Sequence, residues 1–393
     1  MAKGANDLKD ITLAFPLWTR DFILLSLANL FVFTGFQMLM PTLPKYVAAL
    51  GGNSLVVGLT IGIFTISAVL VRPWLGREMD RRGRRGIYLL GLLIFVLAVL
   101  AYSLATSILI LLFLRLIHGA GWGGSTTAGG TMVTDVLPPQ RRAEGMGYYG
   151  LFSNLAMAIA PALGLVLLEQ AGFKILFLTS AALALAAALV VSRVKVPPVA
   201  SQGGPPPALF EPRAWHPSLI AFFMTISYGG VVTFLTLYAA ERNITNIGLF
   251  FTFYAVALML IRPFAGMVAD RRGPALVVVP GLLATALATL LLSLAGNFHV
   301  FLIAGVLYGL GFGSVQPTLQ AMAVAGVAPN RRGAANGTFF SAFDLGIGLG
   351  STLLGAVAQF TGFAGMYAAA SLFSLVGLIV FLLGQKGVST SQR

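Results

Sequence analysis

The chain has 393 residues, 58% hydrophobic and 9% charged, with a formal net charge of +13 and no cysteine. A soluble domain carries about 25% charged residues, so this composition excludes an ordinary water-soluble globule, and the missing cysteines exclude disulfides and thiolate metal centres. The basic residues fall in short loops between apolar runs, a pattern of membrane topology and not of nucleic-acid binding.

The first residues, MAKGANDLKDITLAFPLWTRD, are polar and charged and do not read as a cleavable signal peptide. Twelve apolar runs follow, near 22–41, 54–76, 86–106, 108–134, 144–167, 173–194, 217–240, 246–268, 275–295, 299–326, 336–359 and 364–384. Each approaches the roughly 20 residues that cross a bilayer as a helix. None shows the alternating ten-residue pattern of a membrane barrel. A Pro- and Gly-rich stretch, Val196 to Pro207, divides the runs six and six. The expected organisation is an N-terminal six-helix bundle (1–195), a linker serving as a tether (196–216) and a C-terminal six-helix bundle (217–393).

Charge alternates along the connections. Nineteen Lys and Arg fall on one side, among them Arg77, Arg81, Arg82, Arg84, Arg85, Arg141, Arg142, Arg271, Arg272, Arg331 and Arg332. The other side holds three: Lys45, Lys174 and Arg242. The positive-inside rule therefore predicts both termini in the cytoplasm of a multi-pass protein of the cell membrane. Arg72, Arg115 and Arg262 lie inside apolar runs. Arg72 and Arg262 sit one turn inside the basic ends of the second and eighth runs and are expected to snorkel.

The chain contains an internal repeat. Val71-Arg72-Pro73-Trp74-Leu75-Gly76 and the following Asp80-Arg81-Arg82-Gly83 return 190 residues later as Ile261-Arg262-Pro263-Phe264-Ala265-Gly266 and Asp270-Arg271-Arg272-Gly273. In the same register His118-Gly119-Ala120-Gly121-Trp122-Gly123 meets Tyr308-Gly309-Leu310-Gly311-Phe312-Gly313, and Asn154 falls opposite Asp344. Parallel membrane repeats of this kind build transporters that rock two halves about a central site.

The loop Gly76-Arg77-Glu78-Met79-Asp80-Arg81-Arg82-Gly83-Arg84-Arg85 resembles the major facilitator superfamily signature between helices 2 and 3, with Glu78 where that family has an apolar residue. The resemblance covers almost the whole chain and is greatest to the drug/proton antiporter branch. It implies an all-α membrane protein of twelve transmembrane helices in two pseudo-symmetric six-helix bundles. It also implies a conformational latch of Gly76, Asp80, Arg81, Gly83, Arg84 and Asp135, echoed by Asp270 and Arg271. Asp135 is the expected partner of Arg81. Pro274 replaces Arg84 in the second copy, so the latch there should be weaker. Orientation by positive charge alone would also account for the basic loop.

Leu111-x-x-x-Arg115-x-x-His118-Gly119-x-Gly121 resembles the helix-4 motif of proton-coupled members, with His118 where Gln is usual. Arg115 either tunes a proton site or binds an anionic group, or else it braces helix-end carbonyls. His118 shares its face and either titrates or stays neutral. Asp344 is the single acid placed well inside a run; burial would favour its neutral form and let it exchange a proton, unless it stays ionised beside Arg331 or Arg332. Gly147, Ala156, Ala160, Pro161 and Gly164 follow the spacing of the family's helix-5 antiporter motif, which marks exporters, and are expected to let helix 5 approach the other half. Two motif glycines are Ala here, and ordinary small-residue packing is the other reading. Gly119-x-Gly121-x-Gly123 reads as glycine for helix contact.

Asn29, Phe33, Gln37, Trp122, Tyr148, Tyr149, Phe152, Tyr228, Tyr254, Gln316 and Phe343 could line an aromatic substrate cavity, with Gln320 and Phe339 beside them, or could each be packing. No Walker loop, metal-spaced cluster or catalytic constellation is visible, so neither an enzyme nor a cofactor is expected. The expected function is a proton-coupled secondary transporter working by alternating access, an exporter of drugs or small amphipathic metabolites. The alternatives are an uptake symporter for a sugar or small acid and a lipid flippase. The expected partners are a small-molecule substrate, protons and the lipid bilayer, with no nucleic acid and a monomeric chain.

Overall fold

Every regular element among the described residues is helical. The computed structural model describes residues 16–138, 141–195, 210–327 and 332–390. The elements are α1 (Arg20–Leu39), α2 (Leu43–Ala49), α3 (Ser54–Arg82), α4 (Arg84–Tyr102), α5 (Ile108–Val136), α6 (Arg142–Val191), α7 (Trp215–Glu241), α8 (Gly248–Arg272), α9 (Ala275–Ser293), α10 (Phe298–Val324) and α11 (Arg332–Thr390). Side chains start several of them: Thr19, Asn53, Ser107 and Asn297 each accept from the backbone N–H three residues on. Ser107 and Asn297 occupy the same place in the repeat. The short α2 was not expected; its Tyr46 hydroxyl donates to the carbonyl of Tyr102, at 2.7 Å.

Among the described residues, ten helices are long and apolar enough to cross a membrane. Two of them are too long for one crossing: α6 has 50 residues and α11 has 59, whereas a bilayer core takes about 20. Each breaks at a glycine, Gly172 (φ 74°, ψ 177°) and Gly362 (φ 71°, ψ 174°), 190 residues apart. These dihedrals belong to a region that only glycine enters at low cost. Beyond Gly172 the chain returns to the basic face, where Asp21 accepts from the Lys195 amide at 3.3 Å and Arg85 binds the Ser192 carbonyl. Beyond Gly362 it returns to the start of α7, where His216 Nε2 lies 3.2 Å from the Val380 carbonyl. Ten apolar helices therefore make twelve crossings, in the expected places. The break at Gly172 falls between the runs expected at 144–167 and 173–194, and the break at Gly362 between those at 336–359 and 364–384. The second and eighth runs extend to Arg82 and Arg272, because the first residue to break each helix is a glycine at positive φ, Gly83 or Gly273.

Glycine carries the packing within each half. A Cβ at Gly121 would stand 2.8 Å from the Gly91 carbonyl oxygen, and one at Gly311 would stand 2.6 Å from that of Gly281. Gly123 on α5 meets Ala68 on α3 in the same way, and Gly313 on α10 meets Leu258 on α8. These contacts recur in both halves 190 residues apart, by the close backbone approach that small residues permit inside membranes. Outward, Leu70, Trp74, Leu97 and Phe360 are exposed, as lipid-facing apolar side chains are. The innermost element is α7, most of whose length is buried.

Candidate functional site

In the first half, Arg115 on α5 is 1% exposed. A buried unpaired charge there costs about 2.5–3.5 kcal/mol, so its partners matter. Its Nε donates to the Thr60 carbonyl at 2.9 Å and its guanidinium lies 4.1 Å from the centre of the Phe64 ring, both on α3. An Nη reaches the Tyr102 hydroxyl at 3.5 Å, and that hydroxyl lies 2.7 Å from His118 Nδ1. His118 is fully buried among Phe36, Phe64, Phe95 and Tyr102. Arg115 thus braces α5 to α3 and α4 inside its own half.

The halves meet along α3 and α11. A Cβ at Gly58 would overlap the Ser351 carbonyl and stand 2.9 Å from Thr352 Cα; one at Gly355 would stand 2.6 Å from the Ser54 oxygen. Thr352 Oγ1 donates to the Gly58 carbonyl at 3.2 Å. Further toward the basic face, Gly348 abuts Thr65. Next comes an ion pair between the halves: Arg72 Nη2 lies 2.8 Å from Asp344 Oδ2, with the side chains 20% and 29% exposed. Asp344 therefore sits beside Arg72, and Arg72 is paired where snorkelling was expected. Thr60, the partner of Arg115, is twelve residues before Arg72 on α3, about 18 Å at the helical rise. The expected grouping of Asp344 with Arg115 and His118 is thus two separate places. Elsewhere between the halves, Thr236 donates to the Pro41 carbonyl at 3.1 Å, and Gly248 abuts Leu165. The Pro41, Leu165 and Gly58 contacts lie toward the face opposite the basic loops.

Most of the remaining cavity candidates are buried in two clusters, one in each half. In the first half Trp122 stacks on Phe36 at 4.1 Å and contacts Phe33 at 4.8 Å. Asn29 Nδ2 donates to the Tyr149 carbonyl at 3.2 Å, and Tyr148 packs on Trp18. Phe152 is half-buried with no ring contact among the described residues. In the second half Tyr228 stacks on Phe312 at 4.8 Å, and Tyr254, Tyr308 and Phe343 surround that ring. Phe339 packs on Phe343. Gln316 joins Arg262 at 3.3 Å and Gln320 at 3.4 Å. Sequence reasoning passed over Phe64 and Phe312, although both were readable: they occupy the repeat positions of Tyr254 and Trp122.

At the basic face, Asp135 forms an ion pair with Arg84; the expected pairing of Asp135 with Arg81 involves a side chain outside the described residues. Gly83 turns the chain at φ 87°, and Arg271 is exposed. Gly76 and the side chains of Asp80, Arg81 and Asp270 lie outside the described residues. Of the helix-5 positions, Gly164 packs on Met38 of α1, where a Cβ would stand 2.5 Å from the Met38 carbonyl oxygen, within the same half and not across to the other. Pro161 is buried in α6, and Gly147 is exposed with open space around it.

Known proteins place this arrangement. The chain is 24% identical over 382 residues to the staphylopine export protein of Staphylococcus aureus, covering 92% of this chain and 95% of that one. It is 21% identical over 375 residues to the quinolone resistance protein NorA of the same species, covering 90% and 94%. Its fold matches a bacterial homologue of the human lysosomal transporter Spinster, in an inward-facing and unoccupied conformation, with a TM-score of 0.77 at 16% identity over 94% of this chain and 97% of that one. The sequence profile of the Major Facilitator Superfamily matches residues 25–246 and again 218–392. With its duplicated halves and twelve crossings, the chain belongs to the Major Facilitator Superfamily, a family of membrane transporters.

Proposed function

We propose that the chain is a proton-driven exporter of small amphipathic molecules working by alternating access, with Asp344 as the proton carrier. The observation that carries this reading is the Arg72–Asp344 ion pair between the halves. The basic face is cytoplasmic by the positive-inside rule. The glycine seam and the Pro41 and Leu165 contacts then close the outer side. Ionised, Asp344 holds Arg72 and keeps the cytoplasmic part of the seam together. Protonated from outside, it loses the charge that attracts Arg72, and the cytoplasmic side opens. Release of the proton inward and loading of cargo restore the pair and return the protein outward. The order of steps makes proton entry drive export. Arg115 and His118 serve in this reading as the internal brace of the first half, and Arg84–Asp135 as part of the latch on the same face.

Export is supported by the two relatives, one named for staphylopine export and one for quinolone resistance. The test uses liposomes containing the full chain and an entrapped pH dye, with norfloxacin as probe. Probe addition should release protons across the membrane, and Asp344→Asn should abolish that flux while still binding probe. Proton movement unchanged in Asp344→Asn overturns the assignment. Probe accumulating along with protons would instead show symport.

A further inference from the structure

The repeat places an arginine at the same point in each half, and the two differ in how their charge is met. Arg72 has Asp344. The residue 190 positions before Asp344 is Asn154, a neutral amide. Arg262 therefore has no acid at the corresponding place, and among the described residues none forms an ion pair with it. Its bond to Gln316 is 3.3 Å, and its Nε, like that of Arg72, is buried without a hydrogen-bond partner. Unlike Arg115, which donates to the Thr60 carbonyl and lies on the Phe64 ring, Arg262 meets only an amide oxygen, and an ionisable group inside a membrane span is a functional-site candidate by default.

The surroundings of Arg262 define what would complete it. Gln316 donates to Gln320 at 3.4 Å, and Gln320 donates to Asn336 at 3.4 Å. Each of these three amide oxygens is already accepting, from Arg262, Gln316 or Gln320 in turn. Each oxygen keeps one further lone pair, while N–H groups remain on all three amides and on the guanidinium, and no acid offsets the positive charge. A cluster with surplus donors and a net positive charge is complemented by a group that only accepts and carries negative charge, and a carboxylate fits the planar fork of an arginine. Gln316 belongs to a stripe on α10, with Tyr308, Phe312, Gln316 and Gln320 spaced four apart and so on one face. Its aromatic end meets Tyr228 and Tyr254. The Tyr254 hydroxyl, two turns from Arg262 on α8, is also buried without a partner. An aromatic wall thus runs directly into a cationic end.

We propose that Arg262, supported by Gln316, Gln320 and Asn336, binds a carboxylate on the cargo while Tyr228, Tyr254 and Phe312 take its apolar body. This deepens the transporter reading by naming the cargo as aromatic or amphipathic carboxylic acids. The experiment measures binding to the purified full chain in detergent, using dansylglycine, 1-naphthylacetate and indole-3-acetate, each against its primary amide. At least one acid should bind about tenfold more tightly than its amide, because charge-assisted bonds are lost in the neutral analogue. Arg262→Gln should reduce acid binding about tenfold to a hundredfold and leave amide binding in place. Arg262→Lys should keep part of the preference. If Arg262→Gln does not yield monodisperse protein, Arg262→Lys and Gln316→Leu carry the test, each lowering the acid-to-amide ratio. A purely structural arginine would weaken acid and amide alike. No acid preferred over its amide in the wild type, or a preference unchanged in the variants, overturns the proposal. Asp344→Asn separates the two readings: acid preference kept with proton movement lost supports both. Acid preference kept in a wild type that moves no protons leaves the anion site standing and removes the coupling.

Discussion

Loss of the Arg72–Asp344 pair should bias the protein toward opening on its basic face. The two groups are 2.8 Å apart and roughly a quarter exposed. A charge-assisted hydrogen bond contributes about 1.5–3 kcal/mol, and the partial exposure moves the value toward the lower end. Taking ~1.5–2 kcal/mol, Asp344→Asn should shift the equilibrium between the two conformations about tenfold to thirtyfold. The chain has no cysteine, so single reporters can be introduced without background. Ser341→Cys lies one turn from Asp344 toward the basic face, and Thr352→Cys lies at the glycine seam. With Asp344→Asn, maleimide should label Ser341→Cys faster by that factor, while Thr352→Cys labels no faster. Arg72→Gln should do the same, and the double variant should add little to either single one, because both remove one interaction. Equal labelling in wild type and variants, or fully additive effects, would falsify the claim that this pair holds the seam.

The glycine seam should be intolerant of bulk. Gly58→Val puts side-chain atoms into the Ser351 carbonyl, an overpacking cost of about 1–3 kcal/mol, so Thr352→Cys should become labelled from the outer side and transport should fall with little loss of expression. Gly172→Ala and Gly362→Ala force a β-carbon into dihedrals reserved for glycine, at about 1–3 kcal/mol each; both should lower the melting temperature of the purified protein and the yield of monodisperse material. Arg115→Met removes the bond to the Thr60 carbonyl and the contact with Phe64, costing about 1.5–3 kcal/mol. Its signature should be a lower melting temperature with acid-to-amide preference at the cargo site unchanged.

The spans were legible because each apolar run is long and the charges alternate between them, and the 190-residue register made the duplication visible from Arg72 and Arg262 alone. The glycines at 119, 121 and 123 were read as contact points, and their close approaches to Phe64, Gly91 and Ala68 are of that kind. What stayed hidden was mostly pairing across long separations. Arg72 and Asp344 are 272 residues apart, and nothing local to either names the other. Their meeting depends on how two bundles close, which is a property of the whole surface. The Arg84–Asp135 pair was hidden for a smaller reason: Gly83 turns the chain just before Arg84 at φ 87°, and nothing in the sequence says which basic residue of the loop that turn aims at α5.

Where α3 meets α11, Gly58, Gly62, Gly348 and Gly355 face short hydroxyl side chains or bare backbone. Helices locked by interdigitated ridges must climb out of each groove before they can tilt. Here there is little relief to climb, so the contact behaves like a plain bearing: it holds the two bodies at a fixed distance and offers small resistance to rolling. Turnover should accordingly be governed by the charges that bias the roll, and a single added methyl group on the bearing surface should act as a brake.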